Sequence, residues 1–214
     1  MGADDKIKPL PHLLLGGQQT AHWYYDQVIQ RASILRLMLY QINFSPINAT
    51  LPDQLDIAAK LLEKELDFLK CNQVSKWMIA NVTLHEVLQH SKHPILSKFD
   101  SIYTHIPPGL RDSQIMLIGT KHTMNSDFVK QQFDCYDVNI IHAKPTDQEL
   151  IDSLRRQFYE IDDQNLAQHI FDHLLKTYPN VDYFVILCTE HAIAADLIDN
   201  DKLVNLPRIQ CRHF

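Results

Sequence analysis

Lys76-Trp77-Met78-Ile79-Ala80-Asn81-Val82-Thr83 and Tyr183-Phe184-Val185-Ile186-Leu187-Cys188-Thr189-Glu190 carry one pattern twice: an apolar run, then a polar turn that opens a helical segment. Neither run alternates apolar with polar residues, so each reads as a strand covered on both faces, the kind found in parallel sheets flanked by helices. Further matches precede each run in the same order. Leu13-Leu14-Leu15-Gly16-Gly17 pairs with Met116-Leu117-Ile118-Gly119-Thr120, each a strand ending in a glycine turn. Leu37-Met38-Leu39-Tyr40 pairs with Val138-Asn139-Ile140-Ile141, each a buried strand before a polar loop and a helix. A repeat at a spacing of roughly 100 residues marks internal duplication. The fold class is therefore α/β, with two pseudo-symmetric lobes, each a parallel sheet flanked by helices, and an active-site cleft between them. Asn81 and Cys188 fall at equivalent places, and ligands of open α/β sheets bind beyond the C-terminal ends of the strands. Both should face that cleft.

The expected organisation is a tail over residues 1–10, a first lobe over 11–100 with the chain crossing over near its end, a second lobe over 101–200 and a return segment over 201–214. Strands are expected at Pro11–Leu15, Leu35–Ile42, Lys76–Ala80, Gln114–Ile118, Val138–Ala143 and Tyr183–Leu187, with a weaker one at Asp100–His105. Helices are expected at Trp23–Ser33, Asp53–Lys70, Leu84–Gln89, Asn125–Phe133, Asp147–Ile161, Gln164–Tyr178 and His191–Asp199, with Asn125 and Thr146 as N-caps.

The 214 residues suffice for one large domain or two lobes of about 100 residues with real cores. A formal charge of −6 has no basic excess, which argues against nucleic acid and anionic membranes as partners. The polar stretch Met1–Lys8 lacks the apolar core of a signal peptide, and no later stretch approaches the ~20 apolar residues of a membrane span. Cys71, Cys135, Cys188 and Cys211 show no CxxC spacing and the histidines no HExxH, so neither a metal nor a disulfide framework is expected and a cytoplasmic location fits.

A cysteine opening a helix feels the positive end of the helix dipole and free N–H groups, which favour thiolate near neutral pH. Cys188 has that setting; read without context it is rather a small buried hydrophobe ending a core strand, as free cysteines often are. The loops Gly16–Thr20 and Gly119–Thr123 are rich in the backbone N–H groups and hydroxyls that hold carboxylates or phosphates, and neither matches a nucleotide-binding sequence.

These residues resemble the aspartate/glutamate racemases, from about residue 11 to about residue 207. That family begins with a strand ending in LLGGM and a helix carrying Tyr-Tyr, matched here by Leu14-Leu15-Gly16-Gly17 and Tyr24-Tyr25. Gln41-Ile42-Asn43-Phe44-Ser45 is similar to its next strand end. Gly119-Thr120-Lys121-His122-Thr123-Met124 is similar to its GTxxTM loop, and Leu187-Cys188-Thr189-Glu190 to its GCTE motif. The resemblance implies a cofactor-independent, usually dimeric enzyme in which one cysteine from each lobe serves one face of a substrate α-carbon. It further implies a small carboxylate or acidic amino acid as ligand. Gly17, Gln18, Asn43, Val82, Thr83, Gly119, Thr120, Thr123, Thr189 and Glu190 become expected substrate-binding residues, with Cys188 catalytic.

The departures fall on the chemistry. The family's CNTxH motif, aligned on Thr83 and His85, puts Asn81 at the first cysteine and Val82 at the substrate-binding asparagine. Leu187 replaces the glycine before the second cysteine, the first loop is shorter, and the return segment closes on Cys211-Arg212-His213. A conventional two-cysteine racemase is excluded. Two readings stay open: an enzyme with a single catalytic thiol, in which His85 or a water held by Asn81 or Thr83 supplies the other proton, and a pseudo-enzyme that binds a small carboxylate without turnover. A decarboxylase, which also needs one cysteine, is a near relative of the first.

Overall fold

The computed structural model describes residues 12–16, 18–30, 37–71, 73–160 and 164–214. The first half gives β1 (His12–Gly16), α1 (Gln18–Ile29), β2 (Leu37–Gln41), α2 (Ser45–Asn48), α3 (Leu55–Cys71), β3 (Lys76–Ile79) and α4 (Thr83–Val87). A run of 3-10 turns leads to β4 (Gln114–Ile118), α5 (Lys121–Asn125), α6 (Asp127–Gln131), β5 (Asn139–Ile140), α7 (Pro145–Glu160), α8 (Gln164–Thr177), β6 (Tyr183–Ile186), α9 (Thr189–Ala195), β7 (Leu203–Asn205) and α10 (Leu206–His213).

Two parallel sheets result, ordered β2-β1-β3 and β5-β4-β6-β7. The first three strands of each half thus adopt the same order, with β1 matching β4, β2 matching β5 and β3 matching β6. The match extends to the edge. Phe99 bridges Trp77 beside β3 where β7 pairs with β6.

Each sheet is covered on both faces, which is why its strands carry unbroken apolar runs. Trp77 and Ile79 pack against α3, while Met78 and Ala80 turn to a cluster with Tyr24, Val28, Cys211 and Phe214. In the second sheet Met116, Ile118, Phe184 and Ile186 face one cluster, and Ile115, Leu117, Val185 and Leu187 the other. Successive side chains of a strand point to opposite faces. The covering helices present stripes at helical spacing: Ala58, Leu62, Leu66 and Leu69 on α3, and Ala167, Ile170, Phe171 and Leu174 on α8. Truncating a fully buried member such as Leu66 to alanine costs about 2–5 kcal/mol.

Several expected elements fall differently. Asp100–His105 is not a strand: after the single Phe99 bridge, Ser101 accepts from the Tyr103 N–H and caps a 3-10 turn over Ile102–His105. The helix expected over Asn125–Phe133 divides into α5 and α6, capped by the hydroxyls of Thr120 and Ser126, and Asn125 is the last residue of α5. Thr146 lies inside the first turn of α7, which begins at Pro145, and α1 begins at Gln18 rather than Trp23. Strand β7 was not expected, because three residues between Lys202 and Leu206 are too few to show a period. The expected tail over 1–10, and Pro11, lie outside the described residues. The return segment carries α10 back to the first sheet, where Gln210 Nε2 donates to the Asp100 carbonyl at 2.6 Å. Among the described residues no helix is long and apolar enough to cross a membrane.

Candidate active site

The equivalent strands β3 and β6 end alike. Asn81 and Cys188 each stand two residues beyond the last strand residue, and each turn opens a helix beginning at a threonine, Thr83 in α4 and Thr189 in α9. The Thr189 hydroxyl donates to the Ala80 carbonyl at 3.5 Å, tying the second strand end to the first. Between them lies a cavity of about 770 Å³, within the range of small-molecule sites. The first half lines it with Thr20, Phe44, Asn48, Leu51, Pro52, Ala80, Asn81, Val82 and Thr83, and the second with Thr120, His122, Thr123, Arg155, Leu187, Cys188, Thr189 and Glu190.

Cys188 is the N-cap of α9 and is 7% exposed, and its Sγ donates to Glu190 Oε2 at 2.9 Å. Burial pushes the thiol well above its ordinary value, the Glu190 carboxylate adds to the rise, and the N–H groups of Glu190 and His191 oppose it. This corrects the expected thiolate: desolvation and an adjacent carboxylate outweigh the helix terminus, so the resting group is the protonated thiol. Gly119 passes directly beneath. A Cβ there would lie 3.2 Å from the Thr123 side chain, closer than side chains ordinarily pack, and 3.7 Å from the Cys188 Cβ, in ordinary contact, so it is Thr123 that a side chain here would displace.

The loop after β4 is pinned on several sides. Thr120 accepts from the Thr123 N–H at 3.1 Å and shares a 2.9 Å hydrogen bond with the Thr123 hydroxyl. The Lys121 N–H donates to Asp152 on α7 at 3.1 Å, and its ammonium pairs with Glu149. His122 Nε2 lies 2.8 Å from Glu86 Oε2 on α4, and Glu86 also accepts from the Ser126 hydroxyl at 3.1 Å. Arg155 reaches the same cavity from α7. Its Nε lies 3.9 Å from Asp152, too long for a hydrogen bond, and has no hydrogen-bond partner among the described residues.

No family model and no curated protein matches the sequence. Solved structures do match. The chain superposes on the aspartate racemase of Picrophilus torridus with a TM-score of 0.76, covering 92% of this chain and 89% of that one at 14% identity. An aspartate racemase homologue from Pyrococcus horikoshii gives 0.64 over 95% and 96% at 16% identity. A glutamate racemase from Francisella tularensis, in complex with D-glutamate, gives 0.54 over 95% and 78% at 14% identity. The chain has the fold of the aspartate/glutamate racemases.

This racemase fold gathers most of the expected site. Asn81, Val82, Thr83, Thr120, Thr123, Cys188, Thr189 and Glu190 all line the cavity. Gly119 supports it from below through Thr123 and Cys188. Gly17 lies outside the described residues, and for Gln18 only its place at the start of α1 is described. Asn43 is not in the wall. It is exposed, and its Oδ1 accepts from the Ser45 N–H at 3.0 Å, so Phe44 and Asn48 take the place expected of it.

The largest correction concerns His85. The ring is 1% exposed among Phe99 and Tyr103, its Nδ1 accepts from the Ile102 N–H at 3.4 Å, and it does not line the cavity. Burial lowers its pKa to about 4, with the Ile79 carbonyl and Asp100 opposing the fall. It is a neutral core histidine, because the third residue of α4 points inward. His191, one place earlier relative to Cys188 than His85 is to Asn81, is also a core histidine: fully buried, shifted down for the same reason, with Nε2 donating to the Ile151 carbonyl at 2.7 Å.

Sequence reasoning missed Phe44, Asn48, Leu51 and Pro52 as lining residues, had Thr20 and His122 only as members of the two polar loops, and left open whether Arg155 or Arg156 reaches a carboxylate. Arg155 had a legible signal, since it follows the buried Ile151 by four positions and so shares its inward side of α7. His122 had only its place in the GTxxTM-like loop. Among the described residues no group of three or more His, Cys, Asp and Glu side chains is arranged to hold a metal.

Proposed function

We propose that this protein is a cofactor-independent, racemase-like enzyme that uses the single thiol of Cys188 to exchange a proton at the α-carbon of an acidic amino acid or a related small carboxylate. The carrying observation is the Cys188 thiol donating to Glu190 inside a cavity whose equivalent strand end bears Asn81. A thiol with a carboxylate at hydrogen-bond distance has both parts of a proton-transfer site, an acid and a group to take or return its proton. Arg155, and whichever hydroxyl of the Thr120–Thr123 pair accepts from the other, supply donors for an α-carboxylate as negative charge develops on it. The Picrophilus and Francisella relatives act on aspartate and glutamate by name, which supports an acidic amino acid over a neutral one.

In this reading Asn81 orients the substrate and moves no proton, because an amide neither gives nor takes one near neutral pH. The test follows the α-hydrogen of L- and D-aspartate and L- and D-glutamate in heavy water by proton NMR. At least one enantiomer should exchange, and Cys188→Ala should abolish that exchange. Binding of these acids without exchange of either enantiomer, or exchange indifferent to Cys188→Ala, overturns the proposal.

A further inference from the structure

The single thiol leaves the first-lobe face of the α-carbon without an evident proton-transfer group, since Asn81 has the wrong chemistry and His85 points into the core. Beside Cys188 and its partner Glu190, one group in the described cavity wall has the right chemistry. His122 lines the cavity, and its Nε2 lies 2.8 Å from Glu86 Oε2. A carboxylate only accepts, so the proton between them sits on Nε2, and the nitrogen left to take or give a proton is Nδ1. A histidine whose tautomer and orientation are fixed by a carboxylate is the usual form of a general base.

The ring is also held toward the first strand end. His122 belongs to the loop after β4, in the half that carries Cys188, but its partner Glu86 lies on α4, the helix opened by the Asn81 turn. Thr83, which lines the cavity, and Glu86 are three residues apart on α4 and share one face of it. The Glu86 bond therefore draws the imidazole across to the side of the missing thiol. Glu86 is itself fixed by the Ser126 hydroxyl at 3.1 Å, and its side chain is 15% exposed against 28% for His122. The carboxylate is thus sheltered while the ring stays open to a ligand.

We propose that His122, oriented by Glu86, is the second proton-transfer residue of the site and serves the face of the α-carbon opposite Cys188. This rests on the single-thiol reading above. In one direction Nδ1 takes the α-proton, the C–H electron pair moves onto the α-carboxylate as an enediolate, and the Cys188 S–H bond gives its proton to the other face. The products are the inverted acid, an imidazolium and a thiolate. In the other direction the thiolate removes the proton and the imidazolium returns one; exchange with water resets both groups between turnovers.

The experiment measures α-hydrogen exchange of L- and D-aspartate and L- and D-glutamate in heavy water for the unaltered protein, Cys188→Ala, His122→Gln and Glu86→Gln, with thermal unfolding of each recorded as a check on folding. The unaltered protein should exchange both enantiomers of one acid. Cys188→Ala should abolish exchange of one enantiomer. His122→Gln should lower exchange of the other by about 100-fold, with the first still exchanging at its own face. Glu86→Gln should lower the same enantiomer as His122→Gln, by about tenfold, since it loosens the ring without removing it.

Equal losses for both enantiomers in His122→Gln mean a structural role and overturn the inference, as does no loss in either. An unaltered protein that exchanges only the Cys188-dependent enantiomer overturns it while leaving the single-thiol reading intact. Exchange of neither enantiomer overturns both.

Discussion

The turn Asn81-Val82-Thr83 and the turn Cys188-Thr189-Glu190 stand at the same place in two sheets of the same strand order, and almost everything chemical differs between them. The first offers an amide, a buried methyl pair and a hydroxyl. The second offers a thiol, a hydroxyl bound across to the first turn, and a carboxylate that holds the thiol's proton. The lesson is that duplication preserves what the backbone needs, a strand end opening a helix, while each turn is free to gain or lose reactive groups. The helices that follow each carry a packing histidine at a neighbouring, not identical, place: His85 and His191 are both buried and neutral.

The comparison breaks most sharply at the thiol. Cys188→Ala should lower α-hydrogen exchange of its enantiomer by about 10³-fold, whereas Asn81→Ala should change it by less than about tenfold, both read by proton NMR in heavy water. Comparable losses from the two would mean that the two turns share the chemistry after all.

The paired histidines yield the next effect, on stability. The folded pKa of His85 is about 4 against 6.5 for a free histidine, so the unfolded chain binds a proton in that window and the folded one does not. Stability is therefore full above pH 6.5 and falls as the pH drops toward 4, by about 1.4 kcal/mol per unit and roughly 3 kcal/mol in all. His191 shifts in the same direction and adds to the fall. Urea unfolding at pH 7 and pH 5 checks this, and an acid-independent midpoint contradicts two neutral core histidines.

Arg155 comes next. Arg155→Met should raise KM for an acidic substrate by about 30-fold, with a smaller change in kcat, because it removes a carboxylate partner rather than a proton carrier. Restoring symmetry tests the comparison from the other side: Asn81→Cys should raise the rate of inversion by about tenfold, measured by circular dichroism on a single enantiomer. The smallest expected effect is on the thiol itself. Burial is the larger cause of its raised pKa, so Glu190→Gln should speed alkylation of Cys188 at pH 8 only several-fold. Slower alkylation would mean that Glu190 assists thiolate formation instead of opposing it.

Much of the fold was legible because strands covered on both faces leave unbroken apolar runs, and duplicated runs such as Lys76–Ala80 and Tyr183–Leu187 reinforce one another. Elements without a period were not: three-residue β7 and the 3-10 turn at Ile102–His105 are set by neighbours. At the site, strand-end residues were legible because their place follows from topology. Asn43 and His85 were misread because sequence position fixes a residue's turn or helix but not the side its side chain takes.

The sequence by itself determined the duplicated α/β architecture, the equivalence of Asn81 and Cys188, and the presence of a thiol at one strand end and an amide at the other, since strand periodicity and residue identity are local properties. Only the tertiary structure decided that Cys188 rests as a thiol against Glu190, that His85 is core, and that Arg155 and a His122 held by Glu86 line the same cavity as Cys188. Protonation, burial and pairing depend on groups brought close from distant parts of the chain, and no local pattern encodes those distances.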